Sequence, residues 1–381
     1  MKKKQLSLLI ASICFCFVSC RDEAEIFMPE IVTTPPEDDI TQIKGFYLLN
    51  EGNMGSNKST LDYYDYATDE YHRNIYGAAN PAIPKELGDV GNDIKIYGSK
   101  LYAVINCSNK VEVMDKSTAC RLGQIDIPNC RYIRFHDAYA YVTSYSGPVE
   151  LDPEYRQTGY VAKVDTATLE VIDRCLVGFQ PDELEIVDNK IYVANSGGYM
   201  FPNYENTVSV IDISSFIEIR RINVARNLHR LRADRYNNLW ITSRGDYYTQ
   251  ASRLYWIDMN TDQLVDSLDV AVSNFHLEGD SLYFYGVEWS YITTGNTVTY
   301  GIVDVAKKEI LTRNFITDGT EQAIRVPYGI MVNPLTKDIY LTDAKNYVSP
   351  GTLYCFGSDG RQKWNVRTGD APAHFVLLIE E

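Results

Sequence analysis

The sequence predicts an all-β fold, a seven-bladed β-propeller of four-stranded blades whose first blade is closed by the C-terminal strand. Three observations carry that prediction. A strand of apolar and aromatic residues recurs seven times, a second strand ending in a turn follows each copy, and successive turns lie 46 to 53 residues apart. A period of about 40–50 residues holding four short strands is what a propeller blade requires.

The first recurring strand is read at residues 46–49, 101–104, 139–142, 191–194, 239–242, 282–285 and 339–342, each rich in Tyr, Val, Ile, Leu or Trp. Such residues fit a pleated, buried strand. The second is read at 61–65, 111–115, 161–165, 208–212, 254–258, 300–304 and 353–357. Six of these end on an aspartate (Asp65, Asp115, Asp165, Asp212, Asp258 and Asp304), and an aspartate at a turn bonds the backbone two residues on. A catalytic acid repeated six times has no chemical sense, so these acids are expected to be structural. The first repeat lacks the strand that precedes it elsewhere, while residues 373–378 are left over and resemble the inner-strand segments 184–187 and 228–231. The C-terminus is therefore expected to complete the first blade, which removes an exposed sheet edge at the ring seam.

Ahead of the propeller, assigned to residues 45–381, two segments read as targeting and spacing. Residues 1–19 have the form of a lipoprotein signal peptide: Lys2, Lys3 and Lys4, then an apolar run from Leu6 to Val18 that is too short to span a membrane, for which about 20 residues are needed. The run ends in Phe17-Val18-Ser19-Cys20, which resembles a bacterial lipobox with Cys20 as the lipidated residue. The following Asp22-Glu23-Ala24-Glu25 resembles the surface-export signal of Bacteroidetes lipoproteins. Residues 20–44 carry prolines and acids and are expected to form a lipidated, flexible tether. The expected location is the outer membrane, exposed at the cell surface and held through the lipid anchor only.

Charge and motifs narrow the chemistry. The formal charge is −15 and becomes −18 once the leader lysines go, which disfavours nucleic acid as a partner. Cys107, Cys120, Cys130, Cys175 and Cys355 remain after the leader and Cys20, an odd number, so at least one is unpaired. No HExxH, GxSxG, phosphate loop or zinc spacing occurs, and no enzymatic activity and no cofactor are expected. A propeller-type lyase or hydrolase using His229, His276 and His374 stays as an alternative, as does a calcium ion held by carbonyls and acids such as Asp89 or Asp93.

In a propeller, the loops after the second strand and those leading into the inner strand converge on one face. Here the first set is long: 50–59, 143–159, 195–207, 243–252, 286–297 and 343–352. Ordering such loops costs entropy, and loops rich in Tyr, Trp, Asn and Gly offer stiff contact area with adaptable hydrogen bonds. The candidate ligand-binding residues from the first set are Tyr145, Tyr199, Phe201, Arg244, Tyr247, Tyr248, Trp289, Tyr291 and Tyr347. The second set adds Asn129, Arg131, Asn227, His229, Tyr328 and His374. A large, flat partner with many amide or hydroxyl groups suits them.

The stretch from Gly45 to Leu378 resembles YncE-like propellers, and within them the BtuG group of cobalamin-capturing surface lipoproteins. The likeness rests on Leu49-Asn50-Glu51-Gly52-Asn53-Met54-Gly55-Ser56-Asn57-Lys58, on Gly88-Asp89-Val90-Gly91-Asn92-Asp93, and on Gly98-Ser99-Lys100-Leu101-Tyr102 leading to Ser108-Asn109-Lys110-Val111-Glu112-Val113. The resemblance implies cobalamin or another corrinoid as ligand and an outer-membrane TonB-dependent transporter as partner. A glycan-binding surface lipoprotein of a polysaccharide-uptake system is the second reading, with Trp289 and the tyrosines stacking on sugars.

Overall fold

The computed structural model describes residues 28–34, 43–84, 86–247, 249–290 and 295–379, without the side chains of residues 289, 290, 295 and 296. Seven antiparallel sheets stand in a ring, each inner strand beside the inner strand of the next blade. Blades 2 to 7 have four strands in simple sequence order. Their inner strands are Gly91–Tyr97, Cys130–His136, Pro181–Val187, Leu228–Ala233, Asn274–Glu278 and Pro327–Val332. In blade 1 the inner strand is Pro372–Ile379 from the C-terminus, paired antiparallel with Ile43–Asn50 (Leu48 opposite Phe375). The ring is closed as the leftover segment predicts.

Blade 1 differs from the expectation in one respect. Glu30–Thr33, within the stretch read as tether, adds a fifth strand on the outside by pairing with Glu70–Arg73. Arg73 on the covered strand pairs with Glu30. An outer edge presents unpaired backbone groups, and this segment covers them. Lipidation at Cys20, the leader and most of the tether lie outside the described residues.

The core sits between blades. Tyr102, Val104 and Val113 of blade 2 pack on Ile133, Val142 and Ala162 of blade 3, and similar clusters recur around the ring. The outermost strands are mostly exposed, Arg121–Asp126 burying only Ile125 and Val171–Leu176 only Cys175. Trp240, fully buried, packs on Trp256 and donates its Nε1–H to Asp234 Oδ2 at 2.8 Å, so its polar atom is satisfied.

The turn aspartates do as expected. Asp115 Oδ1 accepts from the N–H groups of Ser117 and Thr118, Asp165 from Ala167 and Thr168, and Asp304 from Ala306 and Lys307, all at 2.8–3.0 Å. On that same lower face, two-residue turns at 98–99, 137–138, 188–189 and 279–280 join inner to second strands, with Gly98, Asp137, Asp188 and Gly279 at positive φ. Five cysteines lie among the described residues; Cys107 and Cys120 are exposed, and Cys130, Cys175 and Cys355 are buried. No helix among the described residues is long and apolar enough to cross a membrane.

Candidate functional site

The inner strands build the site through a shared irregularity. In every blade but the sixth the pairing slips by a bulge near the upper end of the inner strand. A bulge re-aims side chains, so two consecutive residues reach the channel where strict alternation allows one. In three blades a threonine on the second strand fixes it. Thr143 Oγ1 accepts from Tyr132 N–H (3.0 Å), Thr242 from Arg230 N–H (3.0 Å) and Thr342 from Gly329 N–H (2.7 Å).

Counted from the first regularly paired apolar residue of each inner strand, side chains fall into tiers. Two residues before it lie Asn92, Arg131, Asp182, His229, Ser273, Tyr328 and Ala373. One residue before it lie Asp93, Tyr132, Glu183, Arg230, Asn274, Gly329 and His374; one residue after it, Lys95, Arg134, Glu185, Arg232, His276, Met331 and Val376. Gly329 has a packing reason. A Cβ there would stand 2.5 Å from the carbonyl oxygen of Ala373, so blades 7 and 1 meet backbone to side.

An upper cavity of about 830 Å³ opens to the face with the long loops, and a lower one of about 690 Å³ opens to the opposite face. Arg230 and Ala373 line both and mark the waist. Arg131, His229, Arg244, Tyr247, Tyr328 and Tyr347 line the upper cavity, together with Tyr132, Tyr285, Glu51 and Val287. Tyr247 and Tyr347 are rim residues, 58% and 43% exposed. Tyr347 packs edge-on against Tyr328 at 5.4 Å.

One buried carboxylate organises the arginines. Asp182 Oδ1 accepts from Arg131 Nε and Nη2 (both 3.2 Å) and from Tyr145 O–H (2.7 Å), while Oδ2 accepts from Arg244 Nη1 (3.1 Å). Arg131 also lies over the Tyr145 ring at 4.8 Å. The clamp fixes both guanidinium groups and leaves further N–H donors for the cavity. Across the channel, Glu51 accepts from Tyr328 O–H (2.5 Å) and is bonded to His374 Nε2 (2.9 Å). Tyr132 O–H and His229 Nε2 share a hydrogen bond of 3.2 Å. Burial, with Arg244, Arg230 and Arg131 close by, pushes the His229 pKa well down, so this imidazole is neutral.

The lower half is a charge lattice. Arg134 bridges Asp93 (3.0 Å) and Glu183 (2.8 Å), Lys95 pairs with Asp93 (3.0 Å), and Arg232 pairs with Glu183. Burial alone raises a carboxyl pKa, but Arg232, Arg134 and Arg230 outweigh it and hold Glu183 at about 2. His276 lies in this half, its pKa lowered to about 4 by burial and by Arg232 and Lys95.

The remaining candidates do not line the upper cavity among the described residues. Tyr145 is buried behind Arg131 and acts on the cavity through Asp182. Tyr199 packs edge-on against Tyr145, with its N–H on Gln180 Oε1 (2.7 Å). Phe201 packs edge-on against Tyr204 of its own loop, and Tyr204 in turn against Tyr247 of the next blade's loop. Asn129 braces loops through Gly147 O (2.9 Å) and Asn106 Nδ2 (2.6 Å). Asn227, buried, donates to Gly245 O (3.3 Å) and accepts Arg244 N–H at its own carbonyl (3.0 Å), setting the Arg244 loop. His374 lines the lower cavity and reaches up to Glu51. Tyr248 and Tyr291 lie outside the described residues, as does the side chain of Trp289. The stretch 286–297 holding Trp289, read as a loop, is instead largely an extension of the hairpin Ser281–Ser290 with Gly295–Asp304, in which Trp289 stands opposite Asn296. His229, His276 and His374 occupy three different tiers, so they do not converge. Asp89 caps the N–H groups of Gly55 and Asn57, and Asp93 is held by Lys95 and Arg134. No group of three or more His, Cys, Asp or Glu among the described residues is arranged to hold a metal.

Sequence reasoning missed Tyr132, Arg230, Tyr285 and Glu51. The readable signal for the first two is the tier register: aligning the seven inner strands on their apolar residue sets Tyr132 and Arg230 at equivalent positions.

The profile of a family described as a domain of unknown function (DUF5074) matches residues 44–364. Among solved structures, hydrazine synthase of Kuenenia stuttgartiensis is similar at 16% identity and a TM-score of 0.59, covering 74% of this chain and 88% of that one. A quinonprotein alcohol dehydrogenase-like protein from Bacteroides thetaiotaomicron is similar at 13% identity and a TM-score of 0.56, covering 88% and 78%. Apo AztD from Citrobacter koseri is similar at 10% identity and a TM-score of 0.52, covering 89% and 99%. Identities this low speak for the fold alone. No protein with a curated description matches the chain.

Proposed function

The chain belongs to the DUF5074 family, and on that footing we propose that it is a capture protein whose upper cavity takes a large small-molecule ligand, cobalamin or a related corrinoid first among the candidates. The observation that carries the reading is the upper cavity itself: about 830 Å³, walled by tyrosines from four blades and by two arginines clamped to Asp182. That volume lies in the upper part of the usual range of ligand sites, about 300–1,000 Å³. Stiff aromatic rings and fixed donors suit a broad ligand with apolar faces and an amide-studded rim, and they ask for no chemistry. Preorganised donors also lower the cost of ordering the site on binding.

The lipid on Cys20 would hold the propeller at the cell surface, and release of the ligand to an outer-membrane TonB-dependent transporter completes the proposal. Both extensions rest on the leader and on the family resemblance. The test is a calorimetric titration of the purified protein with cyanocobalamin, for which heat of binding at micromolar concentration is expected. No heat removes the corrinoid reading. The half-exposed rim rings of Tyr247 and Tyr347 also suit stacking on sugars, so a glycan array is the next experiment in that case.

A further inference from the structure

Arg230 stands apart from every other arginine of the channel. It sits at the waist, lines both cavities and is 8% exposed. Its guanidinium donates no hydrogen bond within the described residues, and its Nε is buried without a partner. The nearest carboxylate oxygen, Glu183 Oε1, is 4.0 Å away, and Glu183 is engaged more closely by Arg134 and Arg232. The group rests instead over the Tyr132 ring at 5.2 Å, which leaves its donor edge unspoken for.

A buried guanidinium with unused donors is costly, since each desolvated N–H forfeits its bond to water. The charge around it points the same way. Lys95, Arg134, Arg230 and Arg232 face Asp93, Glu183 and Glu185, four positive groups against three negative. Above them, Arg131 and Arg244 share the single carboxylate of Asp182. Glu51 on the opposite wall already serves Tyr328 and His374, and Glu288 lies out at the exposed rim.

We propose that Arg230 is the seat for an anionic group, a carboxylate or phosphate carried by the captured ligand and received at the waist by the free fork of the guanidinium. A planar fork meets such oxygens in pairs, with charge-assisted bonds roughly twice as strong as neutral ones. Tyr132 and Arg230 then form one unit: the ring holds the guanidinium in place and the guanidinium takes the anion. The assignment of the anion to the captured ligand rests on the capture reading; the seat itself does not.

Inorganic phosphate is the first probe, followed by thermal unfolding of the full chain at constant ionic strength set with sodium chloride. Phosphate raises the unfolding midpoint of the wild type, because a ligand that binds only the folded state stabilises it. In Arg230→Gln the phosphate affinity falls by about tenfold or more, as expected for loss of a charge-assisted pair. Arg235→Gln, at an exposed ion pair with Asp280, leaves it unchanged. If Arg230→Gln does not fold, Arg230→Lys carries the test: it keeps the charge, loses the fork, and binds phosphate several-fold more weakly. No effect of phosphate on the wild type, or equal effects on the wild type and the Arg230 variants, overturns the proposal. Cyanocobalamin titrated into the same proteins separates the two readings. Phosphate binding through Arg230 without cobalamin heat sinks the corrinoid and keeps the seat. Cobalamin bound equally by the wild type and Arg230→Gln, with phosphate inert, sinks the seat and keeps the corrinoid.

Discussion

The two halves of the channel stand on the same seven inner strands and use their charged groups differently. Below the waist, charges are matched across blades, with Asp93 and Glu183 each shared between cations of two or more strands. Four of the turns on that side are only two residues long. Above it, one carboxylate holds two arginines, tyrosines stand partly exposed at the rim, and the loops are long. The lower half binds the ring to itself; the upper half, on the proposed reading, is completed by the captured ligand. The repeat sets the backbone of both, and the loops decide which half meets a ligand.

The sharpest way to break this contrast is to remove a charge from each half. Glu183→Leu takes from Arg134 and Arg232 the carboxylate they share. It is expected to cost about 3–5 kcal/mol of stability, read from urea unfolding. A loss under about 1 kcal/mol would mean that the lower lattice does not hold the ring together. Asp182→Ala is expected to cost less, about 1–3 kcal/mol, while lowering cyanocobalamin affinity about tenfold, because Arg131 and Arg244 lose their clamp. Equal affinity in this variant would detach the arginines from binding.

At the rim the expectation reverses. Tyr247→Ala and Trp289→Ala leave the urea midpoint in place and weaken binding about threefold to tenfold, the worth of one aromatic contact. Unchanged affinity in both places the ligand elsewhere. The smallest effect concerns pH. The ordinary pKa of histidine is 6.5, whereas His276 in the folded protein does not take a proton until about 4. Between these values the unfolded chain binds the extra proton, so stability falls as pH drops from 6.5 to 4. His276→Gln should flatten the urea midpoint across that window; an unaltered slope would assign it to other groups.

Much of this was legible in the sequence because a repeat multiplies a weak signal. Seven Tyr- and Val-rich strands at one period gave the blade number, and residues 373–378 gave the closure. The fifth strand of blade 1 was not legible: four residues in a proline-rich stretch pair only because an open edge awaits them. Arg131, His229, Arg244, Tyr247, Tyr328 and Tyr347, read from two separate sets of loops, share one cavity. Asn129, Asn227 and Tyr199 went to loop bracing, since composition cannot tell an amide that serves a ligand from one that serves a backbone carbonyl. Arg230 and Tyr132 escaped because a bulge breaks the two-residue alternation from which inward residues are counted.

A crystal structure of the protein with cyanocobalamin shows whether the upper cavity takes the ligand. The expected result is a ligand in that cavity, against Tyr247, Tyr328 and Tyr347. A ligand in the lower mouth, or an empty upper cavity in protein saturated by calorimetry, would contradict it.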